Sequence, residues 1–272
     1  MAPMTSSPSL GLPDFEQLAS LMDRYLPLIE PVGRAILDHL PPLGEAASVL
    51  DIACGTGEPG LTLARQTRSL RLLGVDRVPA MIDIARAKAA REDLSAARFE
   101  VMAAERLECG DGAFDAVVSR FGLLMFGDTL ASARELRRVV RVGGAFSLAV
   151  WDDMATNTLV RASIEAFRPF VPEELVAPFE SSVGAQAGDR LREVGWTDAR
   201  TDTFRWHYAF ADDAALWEFV SGPGLFARHI AAVAEGDMQP VRERVLGGLA
   251  AHRQPDGGYL IPHVCRLWWG QR

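Results

Sequence analysis

Val49-Leu50-Asp51-Ile52-Ala53-Cys54-Gly55-Thr56-Gly57-Glu58-Pro59-Gly60 is the stretch that decides the fold. A short apolar run ends on an acid, a glycine-rich turn follows, and from Gly60 to Arg68 the apolar spacing becomes helical. That is a strand, a tight turn and a helix. Glycine lets the backbone bend sharply there and lets a ligand come close to the main chain. Working outward, the alternation repeats: Leu70 to Val75 then Ala80 to Arg91, Arg98 to Met102, Phe114 to Ser119 then Thr129 to Val140, and Ala145 to Trp151. Strands alternating with helices imply βαβ units and a parallel sheet buried on both faces. The fold class expected is α/β, a doubly wound, seven-stranded and mostly parallel sheet.

The flanks read differently. Pro and Ser punctuate residues 1–13, a disordered tail. Residues 14–42 carry the helical period, with Pro27 and Pro31 breaking it into at least two helices, an N-terminal helical lid. Residues 43–272 form the main domain, with cap insertions at about 153–182 and 212–252. Phe204, Trp206, Tyr208 and Phe210 alternate with Arg205, His207 and Ala209, a period-two strand with one aromatic face. Tyr259 to Trp269 is a last strand, closing the sheet as an antiparallel pair.

Composition narrows the class of function. At 272 residues, 49% apolar and 24% charged, the chain can bury one sizeable core. No apolar run reaches the roughly 18 residues of a membrane span, and Met1 to Pro13 lacks the parts of a secretory signal, so the expected location is cytoplasmic. A net charge of −8 argues against nucleic acid as a partner. The arginines at 134, 137, 138 and 141 read as one solvated helix face. Cys54, Cys109 and Cys265 have neither disulfide-framework nor metal-ligand spacing, so no metal is expected.

Gly55, Gly57 and Gly60 formally match a dinucleotide fingerprint, but Asp51 stands where a pyrophosphate would sit. A carboxylate repels a dianion and welcomes a cation, such as the amino group of an amino-acid ligand, and Glu58 pushes in the same direction. Asp76, at the end of the second strand, can accept both hydroxyls of a ribose. A nucleoside with a positively charged amino-acid tail is S-adenosylmethionine.

At these residues the sequence resembles the class I S-adenosylmethionine-dependent methyltransferases, within the ubiquinone/menaquinone-methyltransferase-like group that acts on small molecules. The resemblance spans about residues 45–152. It rests on Asp51 to Gly57, on Gly74-Val75-Asp76-Arg77, on Ala103 to Leu107, and on Phe114 to Ser119 with the helix and Gly143-Gly144 turn that follow. It implies a Rossmann-like methyltransferase sheet with N-terminal helices and inserted cap helices. It also implies that S-adenosylmethionine is bound by Asp51, Ala53, Gly55, Gly57, Asp76, Arg77, Met81, Ala104, Glu105 and Ser119. Ala103 departs from the pattern, since many relatives carry an acid there for the adenine amine; Ala104 and Glu105 are the substitutes.

Methyl transfer from a sulfonium needs alignment first and a base only where the acceptor must lose a proton. Ser119 to Phe126 offers neither histidine nor carboxylate, so base candidates come from the cap: His229, Asp152 and its neighbour Asp153. His207 reads as structural, and His39 as a partner for a helix C-terminus. Tyr25, Phe121, Trp151 and Phe226 are the candidates for an apolar or aromatic acceptor pocket. The implied partner is a small-molecule acceptor, and a homo-oligomer is compatible with the sequence. Rival readings are a cofactor-retaining protein that binds or rearranges a ligand without methyl transfer, and a nicotinamide-dependent reductase. Asp51 and the lack of any Tyr-x-x-x-Lys pair count against the reductase.

Overall fold

A computed structural model describes residues 15–125, 127–151, 156–177, 186–222, 224–233 and 237–272, the side chains of 15–18 and 20 excepted. The tail at 1–13, and the base candidates Asp152 and Asp153, lie outside the described residues. The elements run α1 (Phe15–Asp38), β1 (Ser48–Ile52), α2 (Gly60–Gln66), β2 (Arg71–Asp76), α3 (Pro79–Arg91), β3 (Ala97–Val101), β4 (Phe114–Arg120), α4 (Thr129–Val139) and β5 (Val140–Val150). Then come α5 (Thr158–Phe167), α6 (Glu173–Val176), α7 (Ala187–Glu193), β6 (Arg200–Phe210), α8 (Asp213–Ser221), α9 (Ala227–Ala232), α10 (Gln239–Gly248) and β7 (Tyr259–Gln271). No helix among the described residues is long and apolar enough to cross a membrane.

The sheet order is β3-β2-β1-β4-β5-β7-β6. Strands β1 to β5 pair in parallel, and β7 runs antiparallel to β5. Strand order reverses between β1 and β4, and in open α/β sheets that switch point opens a crevice at the carboxyl ends of the strands. Asp51 lies opposite Gly74 of β2 and Val118 of β4 in the register, so the acid of the first strand sits at the crevice.

By chain contacts the protein divides into two compact units. The first comprises residues 19–153, 182–206 and 264–272. Its core packs Leu50, Ile52, Val117, Phe146 and Leu148 of the sheet against Leu136 and Val139 of α4 and Leu191 of α7. The second comprises residues 1–18, 154–181 and 207–263, against the 153–182 and 212–252 of the sequence expectation. In it Phe167, Phe226 and His229 pack together, Tyr208 stacks on His263 at 3.6 Å, and Asp212 caps α8 through the Ala215 amide.

Two local expectations are corrected. Residues 15–38 form one helix, with Pro27 and Pro31 inside it. A proline withholds one N–H and its ring crowds the preceding turn, opening carbonyls that need other donors. Trp206 Nε1 donates to the Leu28 carbonyl at 2.8 Å and Arg120 Nη1 to that of Ile29 at 3.5 Å, so side chains of β6 and β4 bond the opened turn and the helix continues. The Gly143-Gly144 turn is not a turn before the fifth strand. It lies inside β5, where the register jumps between Phe114 and Ala116 of the facing strand and Gly143 takes φ +76°. That bulge absorbs the turn. His39 matches its expected role, its Nδ1 lying 2.6 Å from the Ala35 carbonyl near the end of α1.

Candidate cofactor and acceptor site

The turn after β1 is built from left-handed residues. Ala53, Gly55 and Gly57 have φ of +56°, +53° and +102°. The two glycines serve different ends. A Cβ on Gly57 would lie 2.6 Å from Leu61 Cδ1, so this glycine lets α2 pack against the turn. A Cβ on Gly55 would meet nothing within 4 Å, so beyond its backbone there is open space. Gly60 is glycine because a side chain would press on Asp51 Oδ2, to which its own amide donates at 2.9 Å.

Asp51 is fully buried, and its second oxygen, Oδ1, has no hydrogen-bond partner. Burial pushes its carboxyl up to about 7, against the opposing pull of the Gly60 amide and the Arg120 charge. A buried carboxylate oxygen without a donor is costly unless a cationic group completes it. Asp76 is half-buried at the tip of β2. Its Oδ2 accepts from the Gly55 amide at 2.9 Å and its Oδ1 from the Val78 amide at 3.0 Å. Burial raises its carboxyl above the usual range, and the amides of Val78, Gly55 and Arg77 oppose the shift. With three amides acting on its two oxygens, the carboxylate retains acceptor capacity for a hydroxyl donor.

Glu58 does something other than expected. Its Oε2 accepts from the amide and hydroxyl of Thr62, and its Oε1 pairs with Arg65 Nη1 at 2.7 Å. It is thereby committed to the first turn of α2. Cys54 is buried with its sulfur against Gly74 and its thiol raised by burial, a packing residue. Met81 is buried on the first turn of α3, Arg77 is exposed, and Ala104 and Glu105 are half-buried in a loop closed by the Ala103–Arg106 bridge. Ser119 is buried, and its Oγ accepts from the Leu123 amide at 3.1 Å, holding the turn after β4.

That turn carries one acceptor candidate, Phe121. Phe121 has φ +59°, strained for an aromatic residue, and the next residue must be glycine because Ala53 Cβ fills the place of a Gly122 side chain. The loops after β1 and β4 therefore interlock. Phe121 stacks on Trp151 with centroids 4.0 Å apart, and Trp206 joins them at 5.7 Å from Trp151. Phe204 extends the row, 5.9 Å from Trp206. Phe121, Trp151 and Phe204 are half-buried. Tyr25 is half-buried on α1. Trp206 is a site residue that the sequence does not mark as one; its place on the aromatic face of a period-two strand is the signal that points to it.

The second unit treats its candidates as core. His229 is 1% exposed, lies 5.4 Å from Phe167 and 5.7 Å from Phe226 by ring centroids, and has its Nε2 3.0 Å from the Leu175 carbonyl. Burial lowers its pKa. Phe226 is buried in the same cluster, and His207 is exposed.

A family model described as a methyltransferase domain matches residues 49–144. The demethylmenaquinone methyltransferase of Deinococcus radiodurans is 41% identical over 100 residues, 37% of this chain and 41% of that protein. The chain thus spans less than half the length of the first curated relatives it matches. The trans-aconitate 2-methyltransferase of Variovorax paradoxus is 31% identical over 201 residues, 68% of this chain and 70% of the relative. Among solved structures, phosphoethanolamine N-methyltransferase 2 of Haemonchus contortus, in complex with S-adenosyl-L-methionine, aligns with a TM-score of 0.59 at 16% identity, covering 96% of this chain and 60% of that one. At that identity the likeness concerns the fold.

Proposed function

We propose that this chain, which belongs to the class I S-adenosylmethionine-dependent methyltransferases of the ubiquinone/menaquinone-methyltransferase-like group, transfers a methyl group to an O, N or C atom of an apolar or aromatic small molecule. The observation that carries this reading is the unpartnered, fully buried Oδ1 of Asp51 at the sheet's switch point, near the open face of Gly55. The donor set suits a ligand that is cationic at one end and a nucleoside at the other. Asp51 answers the ammonium, Asp76 the ribose hydroxyls, and Ala53, Gly55 and Gly57 offer backbone. Met81, Ala104 and Glu105 form the adenine side, and Arg77 and Ser119 border it.

When bound, the cofactor supplies a methyl group already activated on a sulfonium. What the protein must add is alignment, since holding nucleophile and electrophile on one axis removes much of the barrier. The stack of Phe121, Trp151 and Trp206 offers an aromatic face to a planar acceptor, and Tyr25, half-buried on α1, is a further candidate for the acceptor pocket. Flat aromatic walls favour stacked rings. Among the described residues, Phe121, Trp151 and Trp206 present neither histidine nor carboxylate and His229 packs among aromatic rings, so alignment is the contribution that these residues support, with Asp152 the base candidate left.

Calorimetry on the purified protein tests the reading. S-adenosylmethionine and its demethylated product, S-adenosylhomocysteine, are expected to bind, and NAD(H) and NADPH are not. Tight binding of a nicotinamide cofactor would overturn the assignment.

A further inference from the structure

Asp23 is a charged residue that the cofactor reading does not use. It lies on α1, yet its Oδ1 accepts from Thr56 Oγ1 at 2.7 Å and from Lys88 Nζ at 3.1 Å. Thr56 is buried and stands between Gly55 and Gly57, the two left-handed glycines of the cofactor turn. Lys88 is the only lysine in the chain and is 7% exposed on α3. A buried ammonium requires a carboxylate beside it, and the Asp23 carboxylate answers that charge while accepting from the turn. The same helix meets the far end of the turn, where a Cβ on Gly33 would lie 3.4 Å from Pro59 Cβ.

We propose that Asp23 is a positioning residue for the cofactor, acting through Thr56 and fixed in place by Lys88. Two glycines that flank a single residue in a turn carry much conformational freedom, and that freedom must be lost when a ligand settles on their backbone. An anchor on the residue between them removes it in advance, so affinity rises without a new contact to the ligand. The inference rests on the methyltransferase reading for the identity of the ligand. The bracing itself does not depend on it.

Thr56→Val is the discriminating variant, because it deletes the hydroxyl and leaves the Asp23–Lys88 pair intact, whereas Asp23→Asn also strands a buried ammonium. Thr56→Val and Asp23→Asn are each expected to weaken S-adenosylhomocysteine binding about tenfold or more. The double variant should lose no more than Asp23→Asn alone. Amides at 55–57 of the ligand-free Thr56→Val protein should exchange hydrogen about tenfold faster, with the melting temperature within about 2 °C of the parent. Unchanged affinity in Thr56→Val, or losses that add in the double variant, would overturn the inference. A parent protein that binds no S-adenosylhomocysteine would overturn the methyltransferase reading. In that case the exchange rates still decide the bracing, which falls if they are unchanged.

Discussion

The two units of the chain bury titratable groups in opposite ways. In the first, Asp51 and Asp76 accept from backbone amides of the loops after β1 and β2, and Asp51 keeps an oxygen without a donor. In the second, His229 and His263 are packed by aromatic rings and lie against backbone carbonyls. Burial alone therefore does not distinguish a site from a core. A group whose neighbours are loop amides, with acceptor capacity to spare, is prepared for a ligand. A ring wedged among rings is part of the packing, and burial has lowered its pKa to keep it neutral.

The largest effect should come from the turn itself. In Gly57→Ala, a side chain at φ +102° and 2.6 Å from buried Leu61 combines left-handed strain with overpacking. A loss of about 2 to 4 kcal/mol in urea unfolding is expected, with cofactor binding lost as well. Gly55→Ala has open space before it and should cost only about 1 kcal/mol of stability while still blocking the ligand. Equal stabilities for the two variants would erase the division of labour between the glycines.

His229→Ala probes the other side of the contrast. Truncating a ring packed against Phe167 and Phe226 should cost about 2 to 4 kcal/mol of stability and leave S-adenosylhomocysteine affinity within twofold. Retained stability with lost turnover would make His229 a base, and the second unit would then share in catalysis. Asp76→Ala should weaken S-adenosylhomocysteine binding ten- to a hundredfold, because charge-assisted hydrogen bonds are worth about 1.5 to 3 kcal/mol each. Unchanged affinity would move the ribose elsewhere.

Much of the first unit was legible in the sequence, and the reasons are local. Short apolar runs, glycine turns and the acids at the ends of the first two strands are short-range signals, and they led to a mostly parallel sheet and to Asp51 and Asp76. What escaped was set by contacts distant in sequence. Two prolines inside a helical pattern normally end it, and the side chains that bond the turn they open, Trp206 and Arg120, lie far along the chain. The pairing of Lys88, the only lysine in the chain, with Asp23 spans 65 residues and left no local mark. Glu58 looked like a second acid of the site until Thr62 and Arg65 claimed it. His229 sat at helical spacing beside Phe226, where spacing cannot tell a pocket from a core.

The smallest expected effect has a sign opposite to that of the buried histidines of the second unit. Burial raises the Asp51 carboxyl to about 7, while in the unfolded chain it ionises near its ordinary value. The folded state therefore holds a proton that the unfolded state has released, and the stability this contributes is lost as pH rises through 7. Between pH 6 and 8 the loss amounts to about 1.4 kcal/mol in the ligand-free protein. His229 and His263, whose burial lowers their pKa, act in the opposite direction as pH falls below the ordinary histidine range. The measurement is accordingly the difference between the parent and Asp51→Asn, in which the histidines cancel. A ligand with an ammonium beside Asp51 prefers the ionised carboxylate, so S-adenosylhomocysteine affinity should rise by up to about tenfold over the same pH interval, and the rise should vanish in Asp51→Asn. Parallel pH profiles for the two proteins would mean that Asp51 is already ionised in the free protein and that its second oxygen has found a donor by other means.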